Sequence, residues 1–254
     1  MKVRVLGCSG GVGVGLRTTS IIVDEDILID AGSGVGDLTL AEMSNLRHVF
    51  LTHTHMDHFA FLPLLVDSIF DGIRDPIVVH AQASTIEALK THIFNWTIWP
   101  DFAKLPTEES PVMRYEVMEP GETLTIKDRT FEMIEVNHIV PGVAYRVETN
   151  GGAFAYSGDT TTNDNLWDKL NERKALKFLI VETAFANSEL ELSKKAGHYT
   201  PQLLAKDIDK LKHNPKIYIS HTKPGQEDKI VLECQQAMSN RDVLRLNGGD
   251  VFNL

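Results

Sequence analysis

His53, His55, Asp57 and His58 put four cation-binding side chains into six consecutive positions, as the string H-x-H-x-D-H. Imidazole nitrogen and carboxylate oxygen without thiolate are the donors that suit zinc, and ligand type leaves manganese and iron open. His53 and His55 lie two apart, so an extended or turning backbone can aim both rings at one ion. Asp57 and His58 open the apolar, helix-like stretch from Phe59 to Ile69 and can face a second. The preceding run His48-Val49-Phe50-Leu51-Thr52 reads as a strand, which places the cluster at a strand-to-helix turn. A polar loop that happens to hold three histidines is the bland alternative. With ten histidines in 254 residues, such crowding by chance is improbable.

Three further candidates sit at the carboxyl ends of expected strands, where open sheets collect functional groups. His138 ends the strand from Phe131 to Asn137, Asp159 follows Ala155-Tyr156-Ser157-Gly158, and His221 follows Ile217-Tyr218-Ile219-Ser220. A single histidine is more often structural than a ligand. The repeated placement is what carries weight.

These residues need a scaffold, and its elements are legible as short apolar runs. Strands are expected at Lys2–Leu6, Ser20–Asp24, Ile27–Asp30, Pro76–His80, Thr130–Asn137, Val143–Glu148, Ala153–Ser157, Phe178–Val181 and Lys216–Ser220. A capping box at Ser84-Thr85-Ile86-Glu87 predicts a helix running toward Asn95; another follows a cap at Thr162 or Asn163, and Pro201 to Lys212 reads as amphipathic helix. Strands cluster and then alternate with helices in each half, which predicts an α/β fold with two packed sheets and helices outside, a four-layer αββα sandwich. No internal repeat is legible, and residues 1–254 are expected to form one domain. Gly7 to Gly15 lacks the lysine of a phosphate loop and has Leu16 where a dinucleotide fingerprint wants glycine, so it reads as a turn near the site. From Phe94 to Met113, Phe94, Trp96, Trp99 and Phe102 stand among Pro100, Pro106 and Pro111; a lid, or insertion, and an irregular core cover are both open readings.

Composition narrows the function classes. Hydrophobic residues make up 43% and charged residues 24%, ordinary for a globular chain with a substantial core. A net charge of -10 without clustered Lys or Arg disfavours nucleic acid and anionic lipid as partners. Cys8 and Cys234 are too few for a disulfide framework and read as buried thiols. No signal-peptide order opens the chain and no apolar run approaches the ~18 residues of a membrane helix, so a cytoplasmic location is expected.

The series Asp30 in Ile29-Asp30-Ala31-Gly32, the His53 to His58 string, His138, Asp159 in Ser157-Gly158-Asp159-Thr160, and His221 resembles the metallo-β-lactamase superfamily over nearly the whole chain. The resemblance implies that His53, His55 and His138 hold one metal and Asp57, His58 and His221 the other, with Asp159 bridging. Asp30 would orient ligands without touching metal. Two divalent cations, zinc first and manganese or iron as alternatives, would share a hydroxide and make hydrolysis the output. Iron-based electron-transfer relatives replace the second histidine with glutamate, so His55 leans away from redox work.

A second set of segments, Val181-Glu182-Thr183-Ala184-Phe185, Gly197-His198-Tyr199-Thr200-Pro201 and Ile219-Ser220-His221-Thr222-Lys223-Pro224, is similar to the closing region of class II cyclic-nucleotide phosphodiesterases and of ribonuclease Z. In both families an extra histidine, held by an acidic residue, meets the phosphate. That implies catalytic roles for His198, oriented by Glu182, alongside Asp57; a capping histidine and a strand-end glutamate are the structural alternative. Ribonuclease Z carries a tRNA-binding arm between the bridging aspartate and the acidic motif, but only 22 residues lie between Asp159 and Glu182. Met56 and Phe59-Ala60-Phe61 depart from the usual phosphodiesterase wording. The expected function is a phosphodiesterase opening 3′,5′-cyclic nucleotides by in-line attack of a metal-bridging hydroxide, with Trp96 or Trp99 available to stack on the base. A ribonuclease, an esterase or lactonase, and a metal-bound sensor without turnover are the alternatives. The expected partner is a small anionic phosphodiester; DNA, RNA and membrane are not expected, and a homodimer is left open. His48, His80, His92 and His213 receive no role.

Overall fold

A computed structural model describes all 254 residues. Two seven-stranded sheets share one plan, three antiparallel pairings followed by three parallel ones. The first sheet contains β1 (Lys2–Gly7), β2 (Ser20–Val23), β3 (Ile27–Ile29), β4 (His48–Phe50), β5 (Ile77–Ala81) and β6 (Met113–Val117) in that order. The second runs from β7 (Thr123–Ile126) through β8 (Arg129–Val136), β9 (Gly142–Thr149), β10 (Gly152–Tyr156), β11 (Phe178–Glu182) and β12 (Lys216–Ser220) to β13 (Val243–Arg245). The last strand, β14 (Val251–Asn253), returns to the first sheet beside β1. The helices are α1 (Leu40–Met43), α2 (Met56–Phe59), α3 (Leu62–Ile69), α4 (Ala83–His92), α5 (Asn165–Asn171), α6 (Leu190–Ala196), α7 (Pro201–Ile208) and α8 (Glu227–Ala237).

Strand alternation explains the layers. Ile27, Ile29 and Phe50 face inward and meet Phe131, Tyr145, Phe154 and Ile180 of the opposite sheet, while Leu28, Val49 and Leu51 face outward onto Leu62, Leu65 and Val66 of α3. On the other side Leu179, Val181, Ile217 and Ile219 meet Leu166 and Trp167 of α5, Leu204 of α7 and Ile230 of α8. Three apolar interfaces between four layers give the αββα sandwich, and burial on both faces is why the central strands read as continuous apolar runs.

Several expected boundaries shift. The stretch from Phe59 to Ile69 is not one helix: the amide of Ala31 takes the carbonyl of His58 at 2.6 Å and Phe61 N–H donates to Ala31 at 2.9 Å, diverting helical bonds to the loop after β3. Ser84 does not cap α4, which starts at Ala83 after Gln82 without a side-chain cap. That helix stops short of Asn95, whose side chain donates to Thr91 and accepts from the amides of Thr97 and Ile98, turning the chain. After Ile208, i to i−3 bonds at Lys210 and Leu211 tighten α7, and Arg241 donates to the carbonyls of Ile208 and Leu211. In the aromatic segment, Phe94 and Phe102 anchor in the outer core and Trp99 packs against it, leaving Trp96 and Ile98 about 60% exposed. Cys234 is buried, but Cys8 is only half-buried; burial pushes both thiols up to about 12.

His48 and His80 are not solitary. His48 Nδ1 lies 3.0 Å from His80 Nε2, and the His80 ring stacks on Phe50 at 4.5 Å. Burial pushes His80 down to about 4, with the neighbouring His48 acting in the same direction. An unfolded chain regains the ordinary value near 6.5, so it binds the extra proton first, and stability is lost as pH falls from about 6.5 toward 4. Urea unfolding of wild type and His80→Phe at pH 7 and pH 4.5 should show the variant losing about 1–3 kcal/mol less over that interval. Parallel losses would show that His80 already titrates normally in the folded protein.

Candidate metal centre

The carboxyl ends of both sheets meet at one crevice. Asp30 follows β3, the histidine string follows β4, and His138, Asp159 and His221 follow β8, β10 and β12. The structure brings all seven candidate ligands together in two groups, His53 with His55, His138 and Asp159, and Asp57 with His58, His221 and Asp159; within each group the donor atoms lie within 4.8 Å of one another. Asp159 belongs to both. Its Oδ2 is 3.6 Å from His53 Nε2, 3.3 Å from His58 Nε2 and 3.3 Å from His221 Nε2. Asp57 Oδ2 lies 3.1 Å from His221 Nε2, and His138 Nε2 is 3.2 Å from His55 Nδ1.

Backbone form follows from this convergence. Asp30 and His221 adopt left-handed conformations, with φ of 56° and 59°, at the points where their strands turn into the crevice. Gly158 has φ of 59°, and a Cβ there would meet the Val143 carbonyl at 2.5 Å, so only glycine lets the chain present Asp159.

A buried scaffold fixes the imidazoles. The fully buried Asp30 accepts from the Thr52 amide at 2.8 Å, from the Thr52 hydroxyl at 2.9 Å and from His58 Nδ1 at 2.7 Å. His58 is thereby left with Nε2 facing the crevice. The carbonyl of Gly197 accepts from His138 Nδ1 at 2.8 Å and turns that ring's Nε2 inward in the same way. Burial opposes charge on His58, yet Asp159 and Asp30 outweigh it and raise His58 well above its ordinary value. At His53 burial dominates and lowers the ring's basicity far below normal, the neutral form a metal requires.

The donor set fits a pair of divalent cations. His53 Nε2, His58 Nε2 and Asp159 Oδ1 are buried without hydrogen-bond partners, a costly arrangement unless something else coordinates them. Tetrahedral zinc with ligand bonds of roughly 2.0–2.2 Å places neighbouring donors about 3.3–3.6 Å apart, the spacing found around Asp159 Oδ2.

Glu182 and His198 stand beside this cluster and outside both groups. Glu182, fully buried at the end of β11, accepts from His198 Nδ1 at 2.8 Å and from the amides of Thr160 at 3.1 Å and Ala184 at 3.0 Å. Burial opposes protonation of His198, but Glu182 overrides it and raises the imidazole above its ordinary value. The His198 ring stacks on His221 at 5.3 Å and lies 5.0 Å from His138, so it touches one member of each group.

Residues 25–221 match the model of the Beta-lactamase superfamily domain. The chain belongs to that superfamily. A probable 3′,5′-cyclic-nucleotide phosphodiesterase of Yersinia pestis is 28% identical over 92% of this chain and 83% of its own, and a ribonuclease Z of Pyrococcus abyssi is 24% identical over 87% and 86%. The crystal structure of unliganded yeast PDE1 superposes with a TM-score of 0.81 at 18% identity, covering 99% of both chains. As a member of the metallo-β-lactamase superfamily the chain is a metal-dependent hydrolase, and no helix is long and apolar enough to cross a membrane.

Sequence reading missed Thr52 and the Gly197 carbonyl. The Thr52 hydroxyl, also 3.0 Å from His53 Nδ1, ties Asp30 to the histidine string; its only signal was its place between β4 and His53. A main-chain carbonyl carries no residue signal at all. Asp30→Asn keeps shape and removes the charge that orients His58. We expect it to weaken metal affinity about 10–100-fold in a chelator competition, with circular dichroism unchanged. Undiminished affinity would remove Asp30 from the site.

Proposed function

We propose that the chain is a dinuclear-metal phosphodiesterase that opens 3′,5′-cyclic nucleotides. The observation that carries this reading is the Glu182–His198 pair, placed against both metal-binding groups and belonging to neither. In this reading His53, His55 and His138 would hold one ion and Asp57, His58 and His221 the other, with Asp159 available to both. Zinc fits the donor set best. Bound divalent cations there supply a water of lowered pKa and neutralise charge developing on the phosphoryl oxygens.

The residues of the chain do the rest. Glu182, itself immobilised by backbone amides, accepts the Nδ1–H of His198, which fixes the tautomer and leaves Nε2 to carry the transferable proton. Departure of a ribose oxygen as alkoxide is prohibitively slow, so a positioned acid matters for this leaving group. His198, stacked on His221, stands beside the cluster where it can meet such an oxygen, and the Glu182 carboxylate behind it favours its protonated form. Asp57, hydrogen-bonded to His221, borders the attacking side. The net charge of -10 and the short span between Asp159 and Glu182 support a small substrate over tRNA. The names of the phosphodiesterase relatives point the same way, while ribonuclease Z relatives keep RNA as the competing substrate.

Purified, metal-loaded protein assayed on cyclic AMP, cyclic GMP, a bis-aryl phosphodiester, precursor tRNA and a lactone separates the readings. Turnover of a cyclic nucleotide is expected; lactone turnover alone, or tRNA cleavage alone, would overturn the proposal. His198→Ala should cut cyclic-nucleotide kcat about 10²–10⁴-fold and leave metal content intact. The bis-aryl diester should suffer far less, since its phenolate departs without a proton. Equal losses on both substrates, or loss of metal, would strip His198 of the acid role.

A further inference from the structure

Lys223 is a cation beside the metal-binding cluster that the proposed chemistry has not used. It follows His221 by two residues, and its amide donates to the Ala184 carbonyl at 3.1 Å, which fixes its backbone beside the strand carrying Glu182. Its ammonium forms no ion pair, although Asp and Glu outnumber Lys and Arg by 35 to 25. What it has is the Gly10 carbonyl at 3.0 Å and the Phe185 ring, whose centre is 5.7 Å away. The same Phe185 ring lies 5.7 Å from the His198 ring, so Phe185 neighbours both side chains.

Gly10 is built for this approach. A Cβ at that position would meet the His221 carbonyl at 2.4 Å and its Nδ1 at 3.1 Å, so the glycine-rich loop runs directly over His221 and delivers a bare carbonyl to the ammonium. A half-buried ammonium offering three donors and holding one neutral acceptor keeps unspent capacity for an anion.

We propose that Lys223 is a substrate-anchoring residue whose ammonium takes a non-bridging phosphoryl oxygen. The inference rests on the phosphodiester reading above. The glycine loop holds the side chain in place through Gly10. No proton or covalent bond is exchanged, so its contribution appears in binding.

The test compares metal-loaded wild type, Lys223→Met and Lys223→Arg, with metal content checked by elemental analysis. Losing a charge-assisted hydrogen bond should raise KM for cyclic AMP and for a bis-aryl diester about tenfold or more while kcat changes little; Lys223→Arg should restore most of it. Calorimetric titration with inorganic phosphate should show a matching rise in Kd. Unchanged KM and Kd in Lys223→Met would overturn the proposal, and so would loss of metal, which would make Lys223 a prop for His221. If wild type hydrolyses no diester yet Lys223→Met still weakens phosphate binding, the phosphodiesterase reading fails and the anchoring site stands.

Discussion

The buried Asp159 Oδ2 lies within 3.6 Å of three imidazole nitrogens, and the rest of the structure serves that crowding. Carboxylates and imidazoles with lone pairs converging in low dielectric repel one another unless a cation sits among them. Folding therefore stores an electrostatic demand that only positive charge meets. The high basicity forced on His58 by Asp159 and Asp30 is the same demand expressed through a proton.

Two sheets are needed because no single strand could supply such a set. Each sheet delivers residues from the carboxyl ends of its strands, His138 from the antiparallel β8 included, and the apolar contacts of Phe50, Phe131 and Tyr145 hold those ends in register across the interface. The local backbone yields to this requirement. Asp30 and His221 accept left-handed conformations, and the helix after the histidine string breaks so that Ala31 can bond to His58 and Phe61. Strain at these points is compensated by packing elsewhere, which is why it collects at the site.

Around the cluster, polar groups are arranged in graded order. Asp30, Thr52 and the Gly197 carbonyl orient imidazoles from behind; Glu182 orients His198 from the side; Lys223 waits at the lip on a glycine-loop carbonyl. Each outer group fixes a tautomer or a direction for an inner one. The three layers differ chiefly in burial, from Asp30, sealed in the interior, to Lys223, open to an incoming anion.

The sequence by itself determined the parts whose cause is local. The histidine string, the continuous apolar runs and the strand ends at His138, Asp159 and His221 are legible because strand periodicity and donor chemistry depend only on neighbours along the chain. The strand Lys216–Ser220 was read to the residue, and the other expected strands to within one residue or so at their ends. Short edge strands β6, β7, β13 and β14 and helices α1, α6 and α8 were not, since their conformation is imposed by partners distant in sequence. Only the tertiary structure decided that Thr52 would tie Asp30 to two histidines, that a Gly197 carbonyl would aim His138, and that Phe185 would join Lys223 to His198. Those contacts join residues far apart along the chain, and their geometry is set by how two sheets pack, a quantity that no local pattern encodes.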